Sequence, residues 1–224
     1  MNIRAVIFDR DNTLVYFDPV AITALEARVS TIAPMIPPGA AAAYWSAWPG
    51  PWPHLDTEEP EFWRMFWSGL AARYAVSDVT TAALHEIGSF YHTCFIAYPD
   101  AAPCLHALRG RDLQLAVLTN FELPSIHLTL RHAGLDPGWF AALLSSSTLG
   151  FFKPDPRAYL AAAAALELAP GECLFVDDLP VNVEAARAVG MRGVLLDRRR
   201  AYAADPIERI EDLNSLVDLL EAPG

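Results

Sequence analysis

Short apolar runs that stop abruptly at polar clusters recur along this chain. Ala5-Val6-Ile7-Phe8 runs into Asp9-Arg10-Asp11-Asn12-Thr13, Leu113 to Leu118 runs into Thr119-Asn120, and Cys173 to Val176 runs into Asp177-Asp178. A continuous apolar run bounded by turn-forming residues predicts a strand buried on both faces, as in a parallel sheet covered by helices. The intervening segments carry the longer, helical period. Pro154 and Pro156 suit the entry to a helix running to about Glu167, and Pro180 suits the first turn of another ending near Gly190. Residues 193 to 196 read as the next strand. Leu213, Leu216, Val217 and Leu220 recur at helical spacing near the C-terminus. Alternating strands and helices joined by short right-handed crossovers predict a doubly wound, mostly parallel α/β core with a Rossmann-like sheet.

More than a hundred residues separate Asp11 from Thr119, far beyond what one crossover to a neighbouring parallel strand requires. An inserted helical segment is expected there. Trp63, Trp67, Leu70 and Tyr74 fall on one helix face, and residues 79 to 95 form a second candidate helix. Residues 34 to 60, with seven prolines and Trp45, Trp48 and Trp52, predict an irregular loop around a short Ala-rich helix. Trp63 and Trp67 are expected to pack in the core of the insert, leaving Trp48 and Trp52 to face a substrate. The interval from Asn120 to Lys153 holds one helix and one strand.

In an open parallel sheet, ligands bind beyond the carboxyl ends of the strands, so the polar residues that end the three runs should converge. Asp9 and Asp11, two apart on extended backbone, would turn their carboxylates into one pocket, where mutual repulsion calls for a cation; a hard, oxygen-liganded Mg²⁺ suits a site that also takes phosphate oxygens. Lys153 is the only lysine beside fifteen arginines. An ammonium is a compact point charge that fits between two anions, unlike the broad guanidinium fork, which marks Lys153 as a candidate for the same site.

With these residues in order, the chain resembles the haloacid dehalogenase superfamily of phosphohydrolases. Phe8 to Leu14 looks like its nucleophile loop, Leu118-Thr119-Asn120 its second motif, Lys153-Pro154-Asp155-Pro156 its third, and Phe175 to Asp178 followed by Asn182 its fourth. Asn12 stands where members usually place glycine; asparagine tolerates left-handed backbone better than other residues, so the turn should survive. The resemblance implies that Asp9 attacks phosphorus to form an aspartyl-phosphate and that Asp11 protonates the leaving alkoxide and later takes a proton from water. It further implies that Mg²⁺ is held by the carboxylates of Asp9 and Asp178 and the Asp11 backbone carbonyl, with Asp177 assisting. Lys153 would supply charge, and Thr119 and Asn120 would donate to phosphoryl oxygens. The insert, residues 16 to 97, resembles the helical cap of the phosphatase and phosphoglucomutase-like branch, leaving 1 to 15 and 98 to 224 as the core. Dehalogenases of the superfamily release halide, which needs no proton, and typically lack an acid two residues after the nucleophile; this chain keeps Asp11.

Composition narrows the reading. The formal net charge of −11 and the absence of a basic stripe disfavour nucleic acid and anionic membranes. No apolar stretch is long enough to span a bilayer, and no signal-peptide pattern opens the chain, so a cytoplasmic location is expected. Cys94, Cys104 and Cys173 are odd in number and lack metal-knuckle spacing, which fits a reducing compartment. The histidines form no zinc-ligand arrangement. Arg198-Arg199-Arg200 reads as a solvated turn. Between residues 16 and 97 only Arg28, Arg64 and Arg73 face eight acids, so a neutral or partly apolar leaving group is favoured over one with a second phosphate, although Arg64 could bind an anion. The expected activity is Mg²⁺-dependent hydrolysis of a small phosphorylated metabolite. A sugar phosphomutase and a non-catalytic binding protein are the alternatives, and monomer and dimer both fit.

Overall fold

A computed structural model describes residues 2–202 and 207–221. In chain order the elements are β1 (Ala5–Phe8), β2 (Val15–Phe17), α1 (Pro19–Ile32), α2 (Ala40–Ser46), α3 (Glu59–Arg73), α4 (Asp78–His85), β3 (Phe95–Ala97), α5 (Ala101–Arg109), β4 (Gln114–Thr119), α6 (Ile126–His132), β5 (Ala142–Ser145), α7 (Ser146–Leu149), α8 (Pro156–Ala165), β6 (Cys173–Asp177), α9 (Pro180–Ala188), β7 (Arg192–Leu196), β8 (Arg209–Ile210) and α10 (Asn214–Glu221). Six strands form one sheet in the order β5-β4-β1-β6-β7-β8, and every pairing in it is parallel.

Register places the site. Phe8 pairs with Val117 on one side and Val176 on the other, so the polar tips of β4, β1 and β6 emerge side by side at one edge. Each of these strands feeds two apolar layers through the two-residue period of a strand. Val6, Phe8, Val117 and Val176 face the layer that continues into α5, α6 and the inserted helices, while Ala5, Ile7, Leu118 and Phe175 face α8 and α9. That period explains why the runs are apolar throughout.

The insert leaves and returns through a small antiparallel ladder of β2 and β3, with Tyr16 opposite Ile96. Beyond it, α3 forms as its tryptophan spacing predicts, burying Phe62, Trp63, Phe66, Trp67 and Leu70. The helix expected over 79 to 95 is shorter: α4 ends at His85, and Gly88–Cys94 is a 3₁₀ segment. At this junction Gly88 lets the chain pass close to Trp63, where a Cβ would stand 2.5 Å from Trp63 Cβ. The loop of residues 34 to 60 surrounds α2 as expected. Asn12 adopts a left-handed φ of 58°, so the turn after β1 survives without glycine.

Arg199 and Arg200 are exposed beside the turn as expected, but the Arg198 side chain is not solvated. Its guanidinium pairs with Asp100 at 2.7 Å, donates to the Thr13 carbonyl at 3.0 Å and stacks on Tyr98. Asp100 also accepts from the Leu213 backbone N–H, so this pair ties the turn after β1 to α5 and the start of α10. Sequence position beside two further arginines concealed a side chain selected by a distant carboxylate.

Candidate active site

Asp9 follows β1 directly, and its backbone N–H donates to the Val176 carbonyl at 2.8 Å, which fixes it level with the end of β6. There Lys153 Nζ lies 2.6 Å from Asp9 Oδ1 and 2.7 Å from Asp177 Oδ2, and all three side chains are buried. The lysine is held by its backbone as well. Asn120 Nδ2 donates to the Lys153 carbonyl at 2.8 Å, and the Lys153 N–H donates to Asn120 Oδ1 at 2.7 Å. Asn120 therefore clamps the lysine loop to β4, using its carbonyl oxygen and one N–H of its amide.

Asp177 accepts from Lys153, from Asn182 Nδ2 and from the Leu179 N–H. Both of its oxygens are thus engaged by neighbouring donors. Asp9, Asp177 and Asp178 each bring a carboxylate oxygen to within 4.8 Å of the others. Asp9 Oδ2 is buried with no partner among the described residues. Burial pushes the Asp9 carboxyl well above the ordinary carboxylate range, against the pull of Lys153 and with the help of Asp177. Burial and the neighbouring Asp177 likewise push Asp178 up to about 6. Three carboxyls facing one ammonium lack positive charge, and the orphaned Asp9 oxygen offers a place for it. The donor set fits a hard divalent cation.

Asp11 stands apart from that cluster. Both of its oxygens are gripped by Arg10, through Nη2 at 2.9 Å and Nε at 3.2 Å, and Thr119 Oγ1 approaches Oδ2 at 3.5 Å. The Asp11 carboxylate is thus matched by a neighbouring side chain. Arg10 itself is buried to 1% exposure and lies flat over Phe121 at 3.6 Å and Phe95 at 4.7 Å. Sequence reasoning passed over it. An arginine between two acids at a strand end, with few cations in the insert above it, was the available signal.

These features match a known pattern. A family model for haloacid dehalogenase-like hydrolases matches residues 3–190. The chain belongs to this family. Over its full length this hydrolase is 35% identical to phosphatase MT3486 of Mycobacterium tuberculosis (strain CDC 1551 / Oshkosh), covering 100% of both chains. Its fold superposes on a solved L-2-haloacid dehalogenase with a TM-score of 0.72 and 26% identity, over 99% of this chain and 100% of the other. It also superposes on a HAD phosphatase from Thermococcus onnurineus with a TM-score of 0.68 and 22% identity, over 97% and 98% of the two chains.

A cavity of about 740 Å³ opens above the site, between α1, α2, α3 and the turns after β1 and β4. Asp11 and Asn120 lie in its floor, and Trp45, Trp63 and Trp67 in its walls. Trp63 and Trp67 are buried in the core of the insert as expected and line the cavity as well, whereas Trp48 and Trp52 do not line it. Trp48 donates to the Pro51 carbonyl and packs with Trp52 on Phe62, away from the cavity lining. That loop packs on the buried Phe62 of α3, whereas Trp63 and Trp67 serve core and cavity together. Arg64 is held by Glu61 one turn earlier on the exposed face of α3 and takes no part in the site. Cys94, Cys104 and Cys173 are free and buried. Among the described residues no helix is long and apolar enough to cross a membrane.

Proposed function

We propose that this hydrolase cleaves phosphoric monoesters with a bound Mg²⁺, through a phosphoryl intermediate on Asp9. The observation that carries the reading is the orphaned Asp9 oxygen beside Asp178, with Lys153 on the other Asp9 oxygen. Asp9 and Asp178, with the Asp11 carbonyl, would hold the ion, and Asp177 would orient Lys153 next to it. When bound, Mg²⁺ supplies the charge that lets a phosphate dianion approach carboxylates.

The residues of the chain do the rest. Asp9 is the nucleophile, and attack forms an O–P bond to its carboxylate as the ester O–P bond breaks. Lys153 neutralises charge at Asp9 and is kept from swinging away by Asp177 and by the Asn120 clamp. Asp11 gives a proton to the departing alkoxide and later accepts one from the water that cleaves the intermediate. For this, one Asp11 oxygen must leave the Arg10 fork, so the bound ester and Arg10 compete for it. The insert, residues 16–97, acts as a cap that receives the leaving group. The full-length likeness to a phosphatase supports this reading, and Asp11 favours it over dehalogenation, which needs no such acid.

The test is release of phosphate from a panel of monoesters with and without Mg²⁺, beside halide release from 2-haloacids, with Asp9→Asn as the blank. Metal-dependent phosphate release that vanishes in the variant is expected. Halide release without metal would replace the proposal with dehalogenation.

A further inference from the structure

Aromatic rings wall the cavity. Between ring centroids, Trp45 lies 4.9 Å from Tyr91, 5.6 Å from Trp63 and 5.9 Å from Phe66, and all four residues are in the lining. Ile22, Leu25 and Val29 of α1 add aliphatic wall. The volume of about 740 Å³ lies in the range of sites that enclose drug-sized ligands, roughly 300–1,000 Å³. An occupant that fills such walls needs a substantial apolar body.

Charge in the lining is unbalanced. Asp11, Glu26 and Glu122 are acidic, and Arg10 is the only basic residue among the described residues of the lining. When one Asp11 oxygen leaves the Arg10 fork to serve the ester, a single guanidinium still stands against three carboxyl groups; with Asp11 protonated it stands against two. Glu26 shares the cavity face of α1 with Ile22, Leu25 and Val29 by helical spacing, and Glu122 lies two residues beyond Asn120 in the turn after β4. Neither glutamate is paired with a cation among the described residues. Burial pushes the Glu122 carboxyl upward, and the Asp11 charge adds to this. A positive group on the occupant would relieve both.

Cations are attracted by aromatic rings as well as by carboxylates. A primary ammonium carries three donors that each need an acceptor, which carbon walls supply poorly. An alkylated ammonium needs none and buries its alkyl groups against those walls. Building on the phosphatase reading, we infer that the leaving group is an alcohol carrying an alkylated ammonium on an apolar body, with Glu26 and Glu122 as the specificity-determining counter-charges.

The test uses the full chain with Mg²⁺. Acetyl phosphate, whose acyl group is too small to need the cavity, reports the chemistry. Two esters of one shape report the cavity: 2-(benzyldimethylammonio)ethyl phosphate and its uncharged carbon isostere, 3,3-dimethyl-4-phenylbutyl phosphate. We expect kcat/KM to favour the ammonium ester about 10-fold, the scale of a partly desolvated cation on aromatic rings beside a carboxylate. The ratio should fall toward one in Glu122→Gln and drop in Glu26→Gln as well. Quenching of tryptophan fluorescence by the two corresponding alcohols reads binding apart from turnover, with the same preference expected. Hydrolysis of acetyl phosphate beside an equal or inverted ester ratio, or beside inertness toward both esters, would overturn the inference and leave the phosphatase reading intact. So would a preference that both glutamine variants retain. Inertness toward all three phosphates would end that reading; fluorescence would then decide the cavity, with tighter binding of the ammonium alcohol, weakened in Glu122→Gln, supporting a cationic occupant and equal or absent binding overturning it.

Discussion

Lys153 Nζ sits between Asp9 Oδ1 and Asp177 Oδ2 at 2.6 and 2.7 Å, a span that a single ammonium fills with no room for a planar fork. Burial acts to lower the pKa of this ammonium, but the two carboxylates outweigh it and raise it. The lysine is thus a fixed charge at neutral pH, and its geometry is set from both ends by Asp177 and Asn120.

Lys153→Arg should accordingly lose at least about 100-fold in kcat although charge is retained, an effect on the scale of losing a preorganised electrostatic partner. Lys153→Met should in addition destabilise the metal-free protein by about 3–5 kcal/mol, because buried carboxyls lose their partner. Phosphate-release kinetics and urea unfolding of both variants check this. Near wild-type turnover in the arginine variant would remove the argument for a compact cation.

On the proposed reading, proton and metal would compete at Asp178. Its carboxyl, raised to about 6 from 3.8, is protonated at higher pH in the folded, metal-free chain than in the unfolded one. The folded state then binds more protons across that interval, so the stability of the metal-free protein falls as pH rises from about 4 to about 6. Magnesium has the opposite dependence, since a ligating carboxylate must shed its proton. Asp9, raised to about 8, must shed a proton as well, so the increase in Tm on adding Mg²⁺ should shrink as pH falls from 8, and apparent affinity should drop by more than about tenfold per pH unit below 6. Thermal unfolding with and without Mg²⁺ at several pH values measures both slopes.

The sheet and the acidic cluster were legible because each depends on local order in the chain: an apolar strand, then a polar tip. Asp9, Thr119, Asp177 and Asp178 announce themselves that way, and Lys153 by being the only lysine beside fifteen arginines. What was not legible depends on pairs far apart in sequence or on which side of a helix meets a void. Arg198 looked like a surface charge until Asp100, ninety-eight residues away, was placed beside it. Helical spacing identified Trp63 and Trp67 as inward-facing, but periodicity does not distinguish a packed core from the wall of a cavity. Asn120 ends a strand as its local pattern suggests, yet its side chain bonds Lys153, a partner 33 residues away that no local pattern specifies.

A second buried polar cluster joins the insert to the core. Glu59, at the start of α3, accepts from the Ser125 N–H at 2.9 Å and pairs with His92 Nε2 at 3.2 Å, while Ser125 Oγ lies 2.9 Å from the same nitrogen. Burial pushes the Glu59 carboxyl upward, but hydrogen bonds from His92 and Ser125 outweigh it and hold it below its ordinary value. A depressed carboxyl contributes stability that is present above the unfolded pKa of 4.5 and lost as pH falls through the lower folded value. Glu59→Gln should therefore cost about 1–3 kcal/mol at pH 7, by leaving a buried donor unmatched, and much less at pH 3.5. Urea titrations of wild type and variant at both pH values give the comparison; equal losses would show that the carboxylate charge is immaterial to the joint.

Gly88 carries a different constraint, of space alone. A Cβ there would stand 2.5 Å from Trp63 Cβ and 2.6 Å from Trp63 Cγ, inside any tolerable contact. Trp63 cannot yield easily, since it is buried and packs against Trp45, Phe66 and Tyr91. Both Gly88 and Trp63 line the cavity, so the clash also displaces its wall. Gly88→Ala should destabilise by about 1–3 kcal/mol, as overpacking does, and raise KM for an ester that fills the cavity. Trp63→Leu makes room at the cost of its own lost packing, so the double variant should be more stable than the sum of the two single losses, with a coupling of about 0.5–3 kcal/mol. Additive losses in urea unfolding would mean that the two residues do not meet, and that the cavity wall at Trp63 is set from elsewhere.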